Sequence, residues 1–289
     1  MSADRPVLLG AVAYDPKVVT IWDGFRAWFR ERGAELDYVL YAHYERQAED
    51  LVDGRIDLAW NSPLAWVRTR RLAAAAGVEA EGVVMRDTDR DLTSAIVVRA
   101  DSPVQSVPDL AGLTVGVGAI DSPQATLLPL SLLRSSGLTP GEDLAVRRYD
   151  VGVGLHGDHI GGERDAAKAL RAGEVDAACM TDSNLLLFSQ EGTLPSGSVR
   201  VVGQTAAYDH CLLTTGPSAA EVSDGVDRAV ELLLAMEYAD PVARPLLDLE
   251  GLTRWLPGRD TGYSALERAV DEAGFYDSRG GIGVDDYRP

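Results

Sequence analysis

The sequence predicts an α/β protein of two lobes, each a mainly parallel sheet flanked by helices, and three observations carry that expectation. Short apolar runs alternate with amphipathic helical patterns along the chain, as in the strand and helix units that build parallel sheets. The segment Ala48 to Ala59 is echoed by Ala167 to Ala178, with identity at Ala48/Ala167, Leu51/Leu170, Gly54/Gly173, Asp57/Asp176 and Ala59/Ala178. A length of 289 residues at 46% apolar content suffices for one large or two modest cores.

Taken in order, the first strand is expected over Pro6 to Tyr14. Val12-Ala-Tyr-Asp-Pro16 then opens a helix ending near Gly33, with an Asp cap and an early proline suited to a helix start. Each copy of the echo reads as helix, glycine C-cap and buried strand. Gly118-Ala-Ile-Asp-Ser-Pro123 opens the matching helix of the second lobe, which ends near Gly137. Thr93 to Ala100 is expected to cross from the first lobe to the second; Val201 to Ala207 and Tyr208 to Thr215 cross back. Lobe 1 is therefore discontinuous, residues 1–98 plus 208–289, lobe 2 is residues 99–207, and a ligand cleft lies between them, with the two crossing strands as hinge. Helical patterns at Ala219 to Tyr238 and Ser264 to Ala273 are expected to cover the first lobe.

The net charge of −18 works against a general attraction to nucleic acid or anionic membrane. No apolar run is long enough to span a bilayer, so no membrane insertion is expected. A small anion is compatible with the charge, because a helix N-terminus binds one locally. Cys179 and Cys211 are too few for a disulfide framework and fit no compact zinc signature; free buried thiols are the plain reading. Nothing upstream of Pro6 reads as a signal peptide, which points to the cytoplasm; a trimmed chain would instead belong to the periplasm or cell surface.

Asp57-Leu-Ala-Trp-Asn-Ser-Pro-Leu-Ala-Trp66, Val107-Pro-Asp-Leu-Ala-Gly-Leu-Thr-Val115 and Gly162-Glu-Arg-Asp-Ala-Ala-Lys-Ala-Leu-Arg-Ala-Gly-Glu-Val-Asp-Ala-Ala178 resemble the phosphate/phosphite/phosphonate substrate-binding proteins of ABC importers. The resemblance spans roughly residues 7 to 215. It implies the type II periplasmic-binding-protein fold, a small ligand clasped between lobes and, for an exported protein, an ABC permease as partner. Arg164 sits where the resemblance implies a ligand contact, at a position often occupied by histidine in the family. Ser122 and Thr126 are what this chain keeps of the family's Ser/Thr-rich turn.

In open α/β sheets ligands sit beyond the carboxyl ends of the strands, at the turns into the following helices. In lobe 1 that rule points to Tyr14, His43, Tyr44, Asn61 and Ser62. In lobe 2 it points to Asp121, Ser122, Gln124, Thr126, Arg164, Asp165, Thr181 and Asn184, with His210 near the returning strand. Neutral polar groups at helix starts also serve as plain N-caps, and aromatic groups at strand ends as core.

The lobes differ in one turn. Lobe 1 spends about four residues between strand and helix, Tyr41 to Tyr44, whereas lobe 2 spends Asp150 to Gly162, with glycines at 152, 154, 157, 161 and 162. This insertion is read as a lid, a backbone cradle for ligand or a solvated ornament. His156 and His159 within it offer acid/base groups or ligands for zinc, iron or manganese, but H-x-x-H without a third ligand is unspecific. No cofactor or metal is required by the sequence.

The expected function is binding of a small polar or anionic metabolite of phosphonate, phosphate or carboxylate type. The alternative is a cytoplasmic enzyme on the same fold, a lyase or dehydratase using His156, His159 and Asp182.

Overall fold

The computed structural model describes residues 5–289. They fall into two units. One comprises residues up to Arg90 with Asp209–Tyr263 and Tyr276–Gly281; the other comprises Asp91–Tyr208, Ser264–Phe275 and Ile282–Pro289.

In chain order the first unit opens with β1 (Val7–Val12), α1 (Lys17–Arg30), β2 (Leu36–Tyr41), α2 (Tyr44–Val52), β3 (Leu58–Asn61), α3 (Pro63–Ala76) and β4 (Glu81–Arg86). The second contributes β5 (Ser94–Arg99), β6 (Thr114–Val117), a π-helical turn Pro123–Leu127, α4 (Leu128–Ser135), β7 (Ala145–Arg148), α5 (Gly161–Ala172), β8 (Ala177–Thr181), α6 (Asp182–Gln190) and β9 (Val199–Gln204). After the return come β10 (Leu212–Thr215), α7 (Ser223–Leu234), α8 (Arg244–Glu250), β11 (Trp255–Pro257) and α9 (Ser264–Ala273). No described helix is long and apolar enough to cross a membrane.

Helix α1 shows why the first unit packs as it does. Its buried residues, Val18, Ile21, Trp22, Phe25, Trp28 and Phe29, recur at the spacing of one helix face. Phe25 and Phe29 are each 1% exposed, and burying a side chain of that size stabilises by about 1.5–3 kcal/mol. The same core includes Trp60 and Trp255, edge to face at 5.6 Å.

The sheets share a plan. The first has the order β11-β4-β10-β3-β1-β2 and the second β7-β6-β8-β5-β9. Read from the opposite edge, β2-β1-β3-β10-β4 matches β7-β6-β8-β5-β9. Both sheets are mixed: β1 pairs in parallel with β2 and β3, and β6 with β7 and β8, while β10 and β5 run antiparallel to both of their neighbours. Each reversed strand is the first that the chain builds after passing between units, at Arg90/Asp91 and at Tyr208/Asp209.

The internal echo now has a physical cause. Asp57 donates its N–H to the Leu8 carbonyl (2.8 Å) while its Oδ2 accepts from the Leu8 N–H (2.9 Å). Asp176 makes the same pair of bonds with Thr114, at 2.8 and 2.9 Å. Both aspartates thus pin the start of the neighbouring first strand. Ala48, Leu51 and Ala59, like Ala167, Leu170 and Ala178, are completely buried, so the repeated residues are those that set the helix against its sheet.

One helix lies elsewhere than expected. α9 packs with α4 in the second unit, burying Leu266, Ala269 and Val270, rather than covering the first. Ile282–Pro289 belong to the same unit, with the rings of Phe275 and Tyr287 4.9 Å apart. An amphipathic pattern declares an apolar face without saying which sheet receives it.

Candidate functional site

Residues 42–43 join β2 to α2, whereas residues 149–160 join β7 to α5. The long connection is held from beneath by the turn that follows β6. Asp121, fully buried, accepts at Oδ2 from the N–H groups of Gly154 (2.7 Å) and His156 (3.1 Å). Gln124 Nε2 donates to the Gly157 carbonyl at 2.7 Å. Gly157 has φ +79°, and a Cβ there would lie 2.4 Å from Gln124 Nε2 and 2.5 Å from Ser122 Oγ, so the position requires glycine. The inserted run is therefore part of the packed structure of its unit and not a solvated ornament.

Its two histidines do different things. His156 is fully buried at φ +50°, with Nε2 3.4 Å from the Tyr287 hydroxyl. His159 is exposed, and its Nδ1 accepts from the Gly161 N–H at 3.2 Å, at the start of α5.

The first turn of α5 supplies the residue that ties the loops together. Gly162 lets that turn press against the backbone just beyond β7 and β6, since a Cβ would lie 2.6 Å from the Tyr149 carbonyl and 3.2 Å from the Ala119 nitrogen. Glu163, 3% exposed, accepts at Oε2 from Thr181 N–H (3.0 Å) and Asn184 Nδ2 (2.8 Å). Burial pushes its carboxyl up from 4.5 to about 7, against Asn184, Thr181 and Gln124, which favour the charged form. Thr181 in turn caps α6, its Oγ1 accepting from Asn184 N–H at 3.1 Å. Residues 121–126, 149–162 and 181–184 thus form one connected set.

Their donors are neutral. Ser122 Oγ accepts from Ala125 N–H at 3.1 Å and keeps its own proton to give, whereas the Thr126 hydroxyl is spent on the Ala119 carbonyl at 2.8 Å. Backbone N–H groups of the α5 and α6 first turns add partial positive charge.

In the first unit the expected residues are more fully engaged. Asn61 is fully buried, bonded by Gln47 (3.0 Å) and donating to Thr214 (2.8 Å), a polar hub inside the sheet. Ser62 Oγ caps α3 through Ala65 N–H at 3.1 Å. Tyr44 is buried; Tyr14 is partly exposed, with Lys17 Nζ 5.6 Å from its ring centre. His43 Nδ1 lies 3.6 Å from Glu45 Oε2, and the Glu45 carboxylate raises the imidazole pKa. His210 Nδ1 faces Cys211 Sγ at 3.1 Å.

With this geometry in hand, comparison with known proteins is decisive at the family level. The family model described as ABC transporter, phosphonate, periplasmic substrate-binding protein matches residues 11–263. The chain belongs to this family. Among solved structures it is similar to PhnD1 from Prochlorococcus marinus in complex with methylphosphonate (14% identity, TM-score 0.68, covering 93% of this chain and 98% of that one). It is also similar to XAC2383 from Xanthomonas citri bound to ATP (20%, TM-score 0.66, 93% and 98%). A third is the periplasmic aliphatic sulphonate binding protein SsuA from Escherichia coli (18%, TM-score 0.58, 94% and 92%). At these identities the likeness is one of fold, an α/β chain of two units with mixed sheets flanked by helices. Membership of the family implies a small-molecule ligand and an ABC permease partner.

Several residues singled out by sequence are committed to other partners. Arg164, placed by the resemblance at a ligand contact, forms a two-pronged ion pair with Glu191 (3.0 Å for each bond) and lies over the Phe188 ring at 5.3 Å. Arg164 and Thr193 together hold the Glu191 carboxyl down to about 2. Asp165 pairs along its helix with Lys168 at 3.2 Å. Asp182 Oδ2 accepts from Gln204 Nε2 (2.7 Å) and from the Thr93 hydroxyl. His156, His159 and Asp182 therefore have separate partners, and the family supports binding, not the enzyme alternative. In the sequence Glu163 reads only as a first-turn acid that offsets the Arg164 charge and favours the helix N-terminus, and Tyr287 is not singled out, since its distance from His156 along the chain hides their contact.

Proposed function

We propose that the chain is the substrate-binding component of an ABC importer and takes a small oxyanion of phosphonate, phosphate or carboxylate type on the loops around Ser122, Gly157, Glu163 and Thr181–Asn184. The observation that carries this reading is the family match over residues 11–263. The chemistry of the loops supports it. A protein of net charge −18 has to select an anion locally, and two helix first turns with neighbouring hydroxyls do that without a free cation. Nearby guanidinium groups are paired, Arg164 with Glu191 and Arg148 with Asp150 and Asp286.

A thermal-shift screen with phosphate, methylphosphonate, an alkyl sulfonate and small carboxylates tests it. Binding to the native state adds about 2.7 kcal/mol at a hundredfold excess over Kd, so at least one of these anions raises Tm by several degrees. No shift with any of them, together with no anion retained in native mass spectrometry, overturns it.

A further inference from the structure

A cluster in the first unit, outside the loops just described, has the chemistry of a metal centre. Asp89 closes the short 3-10 turn after β4, and His210 and Cys211 immediately precede β10. The His210 N–H donates to the Asp89 carbonyl at 2.8 Å, which fixes the two segments side by side, and the Tyr263 hydroxyl donates to the His210 carbonyl at 2.9 Å. Nδ1 of His210 then lies 3.1 Å from Cys211 Sγ and 3.6 Å from Asp89 Oδ1. One oxygen, one nitrogen and one sulfur, each a potential ligand atom, all sit within 4.8 Å of one another.

We propose that Asp89, His210 and Cys211 bind a zinc-type divalent ion. A tetrahedral zinc with bonds of about 2.0–2.3 Å to oxygen, nitrogen and thiolate sulfur sets its ligand atoms roughly 3.3–3.8 Å apart; the 3.6 Å between His210 Nδ1 and Asp89 Oδ1 lies within that range, and the 3.1 Å between His210 Nδ1 and Cys211 Sγ lies below it, so the sulfur has to move outward by a few tenths of an ångström to admit the ion. A single imidazole proton on Nδ1 serves either the sulfur or the carboxylate, whereas a metal ion serves both. The charges match as well: a thiolate and a carboxylate offset the two positive charges of the ion, with the imidazole neutral.

The surroundings are those of an oriented ligand set. Arg86 grips both Asp89 oxygens, through Nε at 2.6 Å and Nη2 at 2.9 Å, and is itself held 5.2 Å over the Trp60 ring and 3.8 Å from Glu250. Such outer contacts fix a carboxylate ligand and tune its affinity. Cys211 and Asp89 are each 2% exposed, and the mixed sulfur, nitrogen and oxygen set suits zinc rather than magnesium or calcium. Three protein ligands leave a fourth position for solvent or another donor.

Cobalt(II) is the probe. Added to chelator-stripped protein it is expected to give visible bands of tetrahedral intensity and a thiolate-to-cobalt charge-transfer band, both displaced by one equivalent of zinc. Cys211→Ser should remove the charge-transfer band, and His210→Ala should weaken binding at least about a hundredfold, beyond the 10–100-fold typical of outer-contact changes. Arg86→Gln should fall within that smaller range. If Cys211→Ser does not fold, Cys179→Ser carries the assignment: the chain has two cysteines, so the band must survive there. Absence of a thiolate band in the wild-type protein, its persistence in Cys211→Ser, or its loss in a folded Cys179→Ser overturns the proposal. Oxyanion binding by the other unit is read separately in the same samples, so failure of one leaves the other standing.

Discussion

In the first unit Gln47 of α2 reaches the end of β3, donating to the Trp60 carbonyl (2.9 Å) and Asn61 Oδ1 (3.0 Å). In the second unit Glu163 of α5 reaches the end of β8, accepting from Thr181 and Asn184. The two side chains do the same mechanical work from nearly equivalent helical turns. The amide has no proton to lose, while the buried carboxyl must take one on to stay comfortable in a dry site. Two side chains doing matching work on one strand plan thus differ in their response to pH, and the responsive one, Glu163, lies at the end of the inserted loop.

The largest effect that would break this comparison is at the loop itself. Gly157→Ala forces a side chain into a left-handed backbone position and against Gln124 and Ser122, and is expected to cost about 4 kcal/mol by urea unfolding. A change below about 1 kcal/mol would mean that the loop is not packed as described.

Next comes the pH dependence. The Glu163 carboxyl is raised in the folded state, from 4.5 to about 7, so the folded protein holds a proton that the unfolded chain has already lost. Its contribution is fully present below about pH 4.5 and is lost as the pH rises to about 7, a decline on the order of 3 kcal/mol. Unfolding titrations of Glu163→Gln should lack this slope, since the amide mimics the protonated acid. The same variant sharpens the functional reading. Ionised Glu163 repels an anion, so affinity for a sulfonate, whose own charge is fixed, should fall above pH 7 in the wild-type protein and stay level in Glu163→Gln. A pH-independent wild-type affinity would detach Glu163 from the ligand loops.

A smaller contrast separates the two echoed aspartates. Burial works to raise the Asp57 carboxyl, but Arg5, the Leu8 N–H and Ser218 bring it below the ordinary value. Arg5 approaches Asp57 with two nitrogens at 2.6 and 2.8 Å. Asp57→Ala should therefore cost about 1.5 kcal/mol more than Asp176→Ala, measured by urea midpoints, and equal costs would show that the guanidinium adds nothing. Smallest of all is Arg164→Ala. Its pair with Glu191 is at the surface, so stability should change by less than about 1 kcal/mol, and ligand affinity should change little; a large loss of affinity would restore it as a ligand contact.

Much of this was legible in the sequence, for reasons visible in particular residues. Leu51/Leu170, Gly54/Gly173 and Asp57/Asp176 repeat because each helix end must meet its sheet in the same way, so local pattern and tertiary role coincide. The alternation of strand and helix likewise announced an α/β fold, but the expected mainly parallel sheets are mixed, because β10 and β5 run antiparallel to both of their neighbours. The destination of α9 was not legible, because its apolar face fits either sheet. Nor was the commitment of Asp121, Gln124 and Arg164 to neighbours, since pairings such as Asp121 with Gly154 arise from loop geometry that spacing does not encode. Glu163 looks like any first-turn acid until burial and its partners are known.

Backbone amide shifts mapped by NMR on titration with the oxyanion that gives the largest thermal shift test the proposed site most directly. Perturbations at Ser122, Gln124, Ala125, Gly157, Gly161–Glu163 and Thr181–Asn184, saturating at one equivalent, are the expected result. Saturable binding that leaves these amides unmoved would contradict it.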